Sequence, residues 1–133
     1  SEGRRHAELE DILRTQAIDF VQLTYNLLDR EVEQRLLPLA QERGIGVIVN
    51  RPFREGALLR QLSRHPLPGW AADITCNSWA QVALKFVVSH PAVTCTIPAT
   101  RQVAHLRQNM GAATGPLPEA ALRARMARDV AAL

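Results

Sequence analysis

The chain has 133 residues, 47% hydrophobic and 22% charged, which suits one globular domain with an apolar core and excludes a disordered or fibrous protein. Its net charge of +3 comes from scattered arginines with few aromatic residues between them, so no nucleic-acid partner is expected. No apolar stretch approaches the roughly 20 residues of a membrane span, and no signal peptide is apparent, so we expect a cytoplasmic protein with no membrane partner.

Two periodicities alternate along the first third of the chain. Residues 6–15 have apolar side chains at helical spacing, and residues 18–23 form a short apolar run rich in strand formers. A second helix is predicted to begin at a cap provided by Asn26 or Asp29 and to end at Gly44. The pattern predicts a helix, a strand and a helix in that order.

The middle of the chain predicts a strand followed by a polar loop. Residues 45–49 are β-branched and almost continuously apolar, as in a strand that is buried on both faces. Residues 50–55 are predicted to be a loop and residues 56–62 a short helix. A proline- and glycine-rich break follows at residues 65–69.

The last third repeats the alternation. A helix capped by Asn77 or Ser78 is predicted to precede a strand at residues 93–97. After a short loop, residues 103–110 form a predicted helix, and residues 117–133 form a final amphipathic helix.

Helices that alternate with short apolar strands indicate an α/β fold with a parallel sheet. Doubly wound folds and (β/α)8 barrels both fit this order. Three strands cannot close a barrel of eight, and an open three-stranded sheet would leave two bare edges. The chain is therefore either a small open α/β sheet, such as a flavodoxin-like module, or part of something larger.

Three segments together resemble the aldo-keto reductase family, and they do so in the right order. Residues 21–30 resemble its sixth strand and following loop, and residues 36–56 resemble its sixth helix, seventh strand and next loop. Residues 89–109 resemble its eighth strand and phosphate-binding loop and helix. The resemblance implies a partial (β/α)8 TIM barrel: the C-terminal half, with about three parallel strands and flanking helices. Residues 1–133 would then form one portion, from the family's fifth helix to the C-terminus.

The third segment carries the predicted phosphate site. A loop between a parallel strand and a helix N-terminus is a ready anion site, and Thr100 and Arg101 offer a hydroxyl and a bidentate cation. The resemblance implies NADP as cofactor, with these two residues at its 2′-phosphate and His105 nearby. Gln108 and Asn109 fall where the family contacts the adenine.

The first two segments carry the predicted nicotinamide and pyrophosphate contacts. Gln22 resembles the strand glutamine that bonds the nicotinamide carboxamide, and a Gln buried in an apolar strand needs a ligand or backbone partner. Many family members have a stacking Tyr where this chain has Asn50, which cannot stack in that way. Either Arg51 or Phe53 makes a different contact, or cofactor binding is altered. The loop supplies four candidate residues: Asn50, Arg51, Pro52 and Phe53.

The resemblance implies carbonyl reduction by hydride transfer from NADPH, with a Tyr as general acid supported by Lys, Asp and His. In the family these four residues come from the first half of the barrel. This chain has one Tyr, Tyr25, and one Lys, Lys85. We predict that Tyr25 is structural or pocket-lining and that Lys85 is a surface charge, so no catalytic residue is assigned.

The sequence therefore predicts part of an NADP-dependent oxidoreductase that reduces aldehydes or ketones to alcohols, with a small carbonyl compound as the whole enzyme's substrate. The alternative is a non-catalytic half-barrel that binds a nucleotide or self-associates. In either case we expect self-association or pairing with a missing half-barrel. Cys76 and Cys95 have no metal-site or disulfide spacing and are predicted to be small buried residues. No metal is expected.

Overall fold

Three parallel strands form the centre of the structure, a computed structural model that describes residues 5–133. They are β1 (Phe20–Thr24), β2 (Gly46–Asn50) and β3 (Cys95–Thr96), and β2 lies between the other two. The register places Gln22 beside Ile48, and Ile48 beside Cys95. The three predicted strands are confirmed, although β3 has two residues instead of the five expected.

Residues 5–133 include seven helices. They are α1 (His6–Thr15), α2 (Leu36–Glu42), α3 (Ala57–Leu62), α4 (Trp70–Asp73), α5 (Trp79–Val88), α6 (Val103–Met110) and α7 (Ala120–Ala131). Single turns of 3-10 helix at Glu31–Glu33 and Gly111–Ala113 precede α2 and follow α6. The predicted order of elements is thus confirmed, with the short α4 as an addition.

Only one face of the sheet is covered. Val47 and Val49 of β2 are fully buried against the helices, whereas the alternate residues Gly46, Ile48 and Asn50 are half-buried. Because successive strand side chains point to opposite faces, these alternate residues define an open face. The prediction that this strand is buried on both faces is therefore wrong for this chain, since its helices pack on one side.

The second helix begins later than its capping signals predicted. The side chain of Asn26 accepts hydrogen bonds from the backbone N–H groups of Leu28 and Asp29, at 3.0 and 2.8 Å, and closes a turn. The regular helix α2 starts only at Leu36. Pro38 is its third residue, where a missing N–H removes no intrahelical bond.

Helix α5 runs through the core, and its residues from Trp79 to Val87 are all buried. Of the two predicted caps, Ser78 is the one that caps the helix: its hydroxyl accepts a hydrogen bond from the Gln81 N–H at 3.2 Å. The prediction that Lys85 is a surface charge is wrong: its side chain is 0% exposed. Its ammonium donates to the carbonyls of Ile74 (2.6 Å) and Pro116 (3.0 Å) and to the hydroxyl of Thr75 (3.3 Å). Three oxygen acceptors satisfy its three donors, which is why burial is tolerated.

A buried polar network attaches α7 to the rest of the chain. The Tyr25 hydroxyl donates to the Glu33 carboxylate and accepts from the Arg123 guanidinium at 2.7 Å. Arg123 also donates to the Phe86 carbonyl and lies 4.4 Å from the centroid of that ring. Burial, aided by the bond to Glu33, raises the pKa of Tyr25. The structural prediction for Tyr25 is confirmed.

The predictions for the two cysteines divide. Cys76 is buried as expected, but Cys95 is exposed because it lies on the open face of the sheet. Trp70 is packed, and its indole N–H donates to Asp129 at 2.9 Å. Along residues 5–133 no helix is long and apolar enough to cross a membrane, and no three His, Cys, Asp or Glu side chains cluster as metal ligands.

The environment of His90 predicts a loss of stability in mild acid. Burial, then the charge of Arg123, lowers the pKa of His90 below its ordinary 6.5. Its Nδ1 accepts the Ala92 N–H at 3.1 Å, which requires an unprotonated nitrogen. The unfolded chain therefore binds a proton at His90 more readily than the folded chain does. The free energy of unfolding is undiminished above the pKa that His90 has in the unfolded chain, and it declines as the pH falls below that pKa.

Urea unfolding at about pH 7.5 and about pH 5.5, either side of the unfolded histidine pKa near 6.5, measures this effect. The His90→Asn variant, which keeps an acceptor but does not titrate, should lose less unfolding free energy between the two conditions than the wild type. An equal loss in both proteins would contradict the prediction.

Candidate functional site

A cleft of about 450 Å³ lies at the ends of β2 and β3 that precede α3 and α6. Seven of the ten residues predicted from the sequence to contact a cofactor line it: Arg51, Pro52, Phe53, Thr100, His105, Gln108 and Asn109. Two loops that are distant in sequence thus meet at one edge of the sheet. The carboxyl ends of parallel strands are where α/β proteins build ligand sites.

One wall of the cleft is a strained loop. Arg51, Arg54 and Glu55 have positive φ angles of 50°, 50° and 56°, and Gly56 follows at 89°. A left-handed conformation in a residue other than glycine costs on the order of 1–3 kcal/mol and persists only when neighbouring contacts enforce it. Backbone hydrogen bonds within the loop, such as that from the Gly56 N–H to the Phe53 carbonyl at 3.0 Å, act together with contacts from outside it.

Asn26 supplies the main contact that holds this loop. Its side-chain amide donates to the Arg51 carbonyl at 3.1 Å and to the Asp29 carboxylate at 2.8 Å. Asp29 in turn pairs with the Arg54 guanidinium at 3.0 Å. Asn26 is 0% exposed and joins the turn after β1 to the loop after β2. Sequence reasoning assigned it only a possible helix cap, since no local pattern signals a bond across 25 residues.

The opposite wall is the segment from β3 into α6. The Thr100 hydroxyl accepts the Gln102 N–H at 3.2 Å, and α6 begins without a side-chain cap. The first backbone N–H groups of a helix carry partial positive charge and favour anions. His105, in the first turn of α6, lines the cleft beside Thr100.

The cleft combines an apolar interior with a polar rim. Apolar surface comes from Phe53, Leu59, Ala80, Ile97 and Pro98. The rim carries both signs of charge, because the Arg51 guanidinium pairs with the Glu55 carboxylate at 3.4 Å and both side chains are largely exposed. Apolar walls with a few placed polar groups are typical of sites for ring-bearing ligands. The residues present fit an aromatic ring joined to a phosphate.

Three predicted residues lie outside the cleft lining. The Asn50 side chain accepts a bond from the Thr24 hydroxyl at 2.7 Å, at the end of the open sheet face. Arg101 is exposed on the loop beside Thr100. Gln22 is also exposed, on the open face of β1, so the expectation that it is a buried amide in need of a partner is wrong for this chain. Its side chain is accessible because no helix of residues 5–133 covers that face.

The sequence profile of the Aldo/keto reductase family matches residues 4–125. The NADH-specific methylglyoxal reductase of Escherichia coli K12 is 36% identical over 63 residues, which are 47% of this chain and 19% of that protein. The methylglyoxal reductase YeaE of the same organism is 34% identical over 89 residues, 66% of this chain and 31% of that protein.

Solved structures with the same fold are also aldo-keto reductases. An aldo/keto reductase from Klebsiella pneumoniae in complex with NADP and acetate has a TM-score of 0.71 and 26% identity, covering 92% of this chain and 44% of that one. The holo form of AKR11C1 from Bacillus halodurans has a TM-score of 0.68 and 22% identity, covering 92% and 46%. The predicted fold class, part of a (β/α)8 barrel, is confirmed. The chain spans less than half the length of each of these relatives.

Proposed function

This chain belongs to the aldo/keto reductase family, and from that premise we propose that it forms the cofactor-binding part of an NADP-dependent oxidoreductase reducing aldehydes or ketones to alcohols. The observation that supports this best is the cleft, which gathers seven residues predicted from the sequence, from the loop after β2 and from the loop and helix after β3. In this proposal residues 1–133 correspond to the C-terminal portion of the barrel.

The adenosine end of the cofactor lies against α6 in this proposal. Thr100 offers a hydroxyl and Arg101 a planar cation to the 2′-phosphate, and the uncapped start of α6 adds backbone N–H groups. His105 borders the same end of the cleft, and Gln108 and Asn109 contact the adenine.

The nicotinamide end lies towards the open face of the sheet. The Gln22 amide is exposed there and is free to bond a carboxamide. Asn50 is held by Thr24 beside it, while Arg51, Pro52 and Phe53 present backbone and side chains to the pyrophosphate. When bound, the cofactor supplies the hydride for carbonyl reduction. The residues of this chain bind and orient it.

We propose that the general acid comes from elsewhere in the barrel. Neither Tyr25 nor Lys85 lines the cleft, and both have their polar atoms engaged. The Tyr25 hydroxyl is bonded between Glu33 and Arg123, and burial raises the pKa of Tyr25, which opposes proton release. General acid catalysis needs a group within hydrogen-bond reach of the substrate.

The isolated 133-residue chain should therefore fail to reduce carbonyl compounds. Absorbance at the NADPH band, followed with methylglyoxal and with a simple aromatic aldehyde, measures this. NADPH-dependent reduction by the purified chain would contradict the proposal that the general acid comes from elsewhere in the barrel.

The choice between NADP and NAD tests the role of Arg101. One similar protein is named as NADH-specific, and a structural neighbour is in complex with NADP. We expect Arg101→Ala to weaken NADP binding by about tenfold or more, since a hydrogen bond to a charged group contributes about 1.5–3 kcal/mol. NAD binding should change little. Titration calorimetry on the full-length protein measures both.

Arg107→Ala is the matched control for this test, because Arg107 is also an exposed arginine of the same region but lies in the last turn of α6 and not on the loop beside Thr100. It should leave the affinity for both cofactors unchanged. Tighter binding of NAD than of NADP by the wild type would overturn the cofactor assignment.

The open face supports a second proposal, that it pairs with further strands of the barrel or with a second copy of this chain. Phe20 is 60% and Ile97 48% exposed on this face, and β1 and β3 are both edges of the sheet. Exposed apolar surface beside unpaired strand edges favours association.

Two neighbouring residues of β2 test whether this face is covered in the full-length protein. Val47→Ala removes a side chain that is buried already, whereas Ile48→Ala removes one on the open face. If the face is covered, Ile48→Ala should lower the unfolding free energy by about 2–4 kcal/mol, as for a core residue. A loss below about 1 kcal/mol, typical of surface substitutions, would show the face to be exposed and contradict pairing.

A further inference from the structure

Helix α6 carries half of the proposed adenosine site but has little apolar attachment to the core. Residues 103–108 are all exposed, and its large apolar side chains Val103, Leu106 and Met110 are 65%, 49% and 60% exposed. Of its eight residues, Asn109 alone is buried. Hydrophobic burial therefore cannot be what fixes this helix at the cleft.

Two polar side chains of the buried helix α5 take that role. Gln81 is 6% exposed, and its amide N–H donates to the Gln108 carbonyl at 3.0 Å while its amide oxygen accepts the Asn77 N–H at 2.9 Å. The Gln108 carbonyl belongs to the last turn of α6. Ala80, the neighbour of Gln81, lines the cleft directly.

Lys85 lies one turn further along α5, about 6 Å away. Its buried ammonium donates to the Pro116 carbonyl, so residues 108–116 are held at both ends by the same helix. The surrounding backbone is shaped around this cation, since Thr75 and Gly115 both have positive φ angles of 53° and 78°. A Cβ on Gly115 would lie 2.3 Å from the Thr75 hydroxyl and 3.3 Å from the Lys85 ammonium.

We infer that Gln81 is a positioning residue that fixes α6 against the cleft and thereby sets the affinity for the adenosine 2′-phosphate end of the cofactor, while Lys85 holds the segment that follows α6 at Pro116. The inference rests on the proposed function of the cleft. Neither side chain lines the cleft itself, and both act through the backbone of residues 108–116.

The first variant is Gln81→Met, which keeps the size of the side chain and removes both amide bonds. In the full-length protein it should weaken the binding of adenosine 2′,5′-bisphosphate roughly tenfold, because α6 loses the hydrogen bond that holds it at the cleft and is then in the binding position for a smaller fraction of the time. Titration calorimetry measures this affinity. Turnover at saturating NADPH should stay unchanged while the KM for NADPH rises, since the nicotinamide end is untouched.

The second variant reaches the same contact from the other side. A Cβ on Gly111 would lie 2.4 Å from the Gln81 amide nitrogen, while the Gly111 φ of −60° accepts alanine without strain. Gly111→Ala should therefore displace the Gln81 amide and reproduce the loss of affinity. If Gln81→Met fails to fold, Gly111→Ala still tests the same contact.

Tyr25→Phe is the control for a loss of stability alone. It removes the two hydrogen bonds that join the Tyr25 hydroxyl to Glu33 and to Arg123. Neither partner lines the cleft, so the affinity for adenosine 2′,5′-bisphosphate should stay unchanged. Amide hydrogen exchange along residues 103–110 should quicken in Gln81→Met and not in Tyr25→Phe.

The outcomes separate the two proposals. If the wild type does not bind adenosine 2′,5′-bisphosphate, the proposed function is overturned and this inference falls with it. If the wild type binds and both Gln81→Met and Gly111→Ala bind equally well, or if Tyr25→Phe loses as much affinity as they do, the positioning role is overturned while the proposed function stands.

Discussion

The constraint on which this structure depends is that helices cover one face of its parallel sheet and leave the other open. Along β1 and β2 the alternation of strand side chains sends Val21, Leu23, Val47 and Val49 into the core. The alternate residues of the two strands face away from the helices: Phe20, Gln22, Gly46, Ile48 and Asn50. The open face explains the exposure of Cys95 and Gln22, and it leads to the cleft at the ends of the strands.

Polar contacts hold the parts that apolar burial does not reach. Arg123 bonds the turn after β1 and the end of α5 to α7, and Asn26 holds the strained loop after β2. Gln81 and Lys85 hold the segment from the end of α6 to Pro116. A buried donor or acceptor without a partner is costly, so each of these groups fixes the backbone that satisfies it. The geometry of the cleft walls follows from such contacts more than from packing.

The family and the two cleft loops could be predicted because their signals are local. The strand at Gly46–Asn50 is a continuous apolar run, and the polar residues after it and after β3 lie where parallel strands present ligand residues. Lys85 could not be predicted correctly, because a lysine in a helix is usually exposed and its acceptors come from residues 74, 75 and 116. The contacts of Asn26 and Gln81 could not be predicted for the same reason, since their partners are distant in sequence.

By itself, the sequence determined the order of helices and strands, the family, and the residue types that the proposal assigns to a nucleotide. These follow from apolar periodicity and from motifs whose members are neighbours in the chain. The tertiary structure alone decided which of those residues meet in one cleft, and it separated Gln22, Asn50 and Arg101 from the cleft lining. It also decided that the single lysine is buried. The physical reason is that burial and hydrogen-bond satisfaction depend on contacts between residues far apart in the sequence.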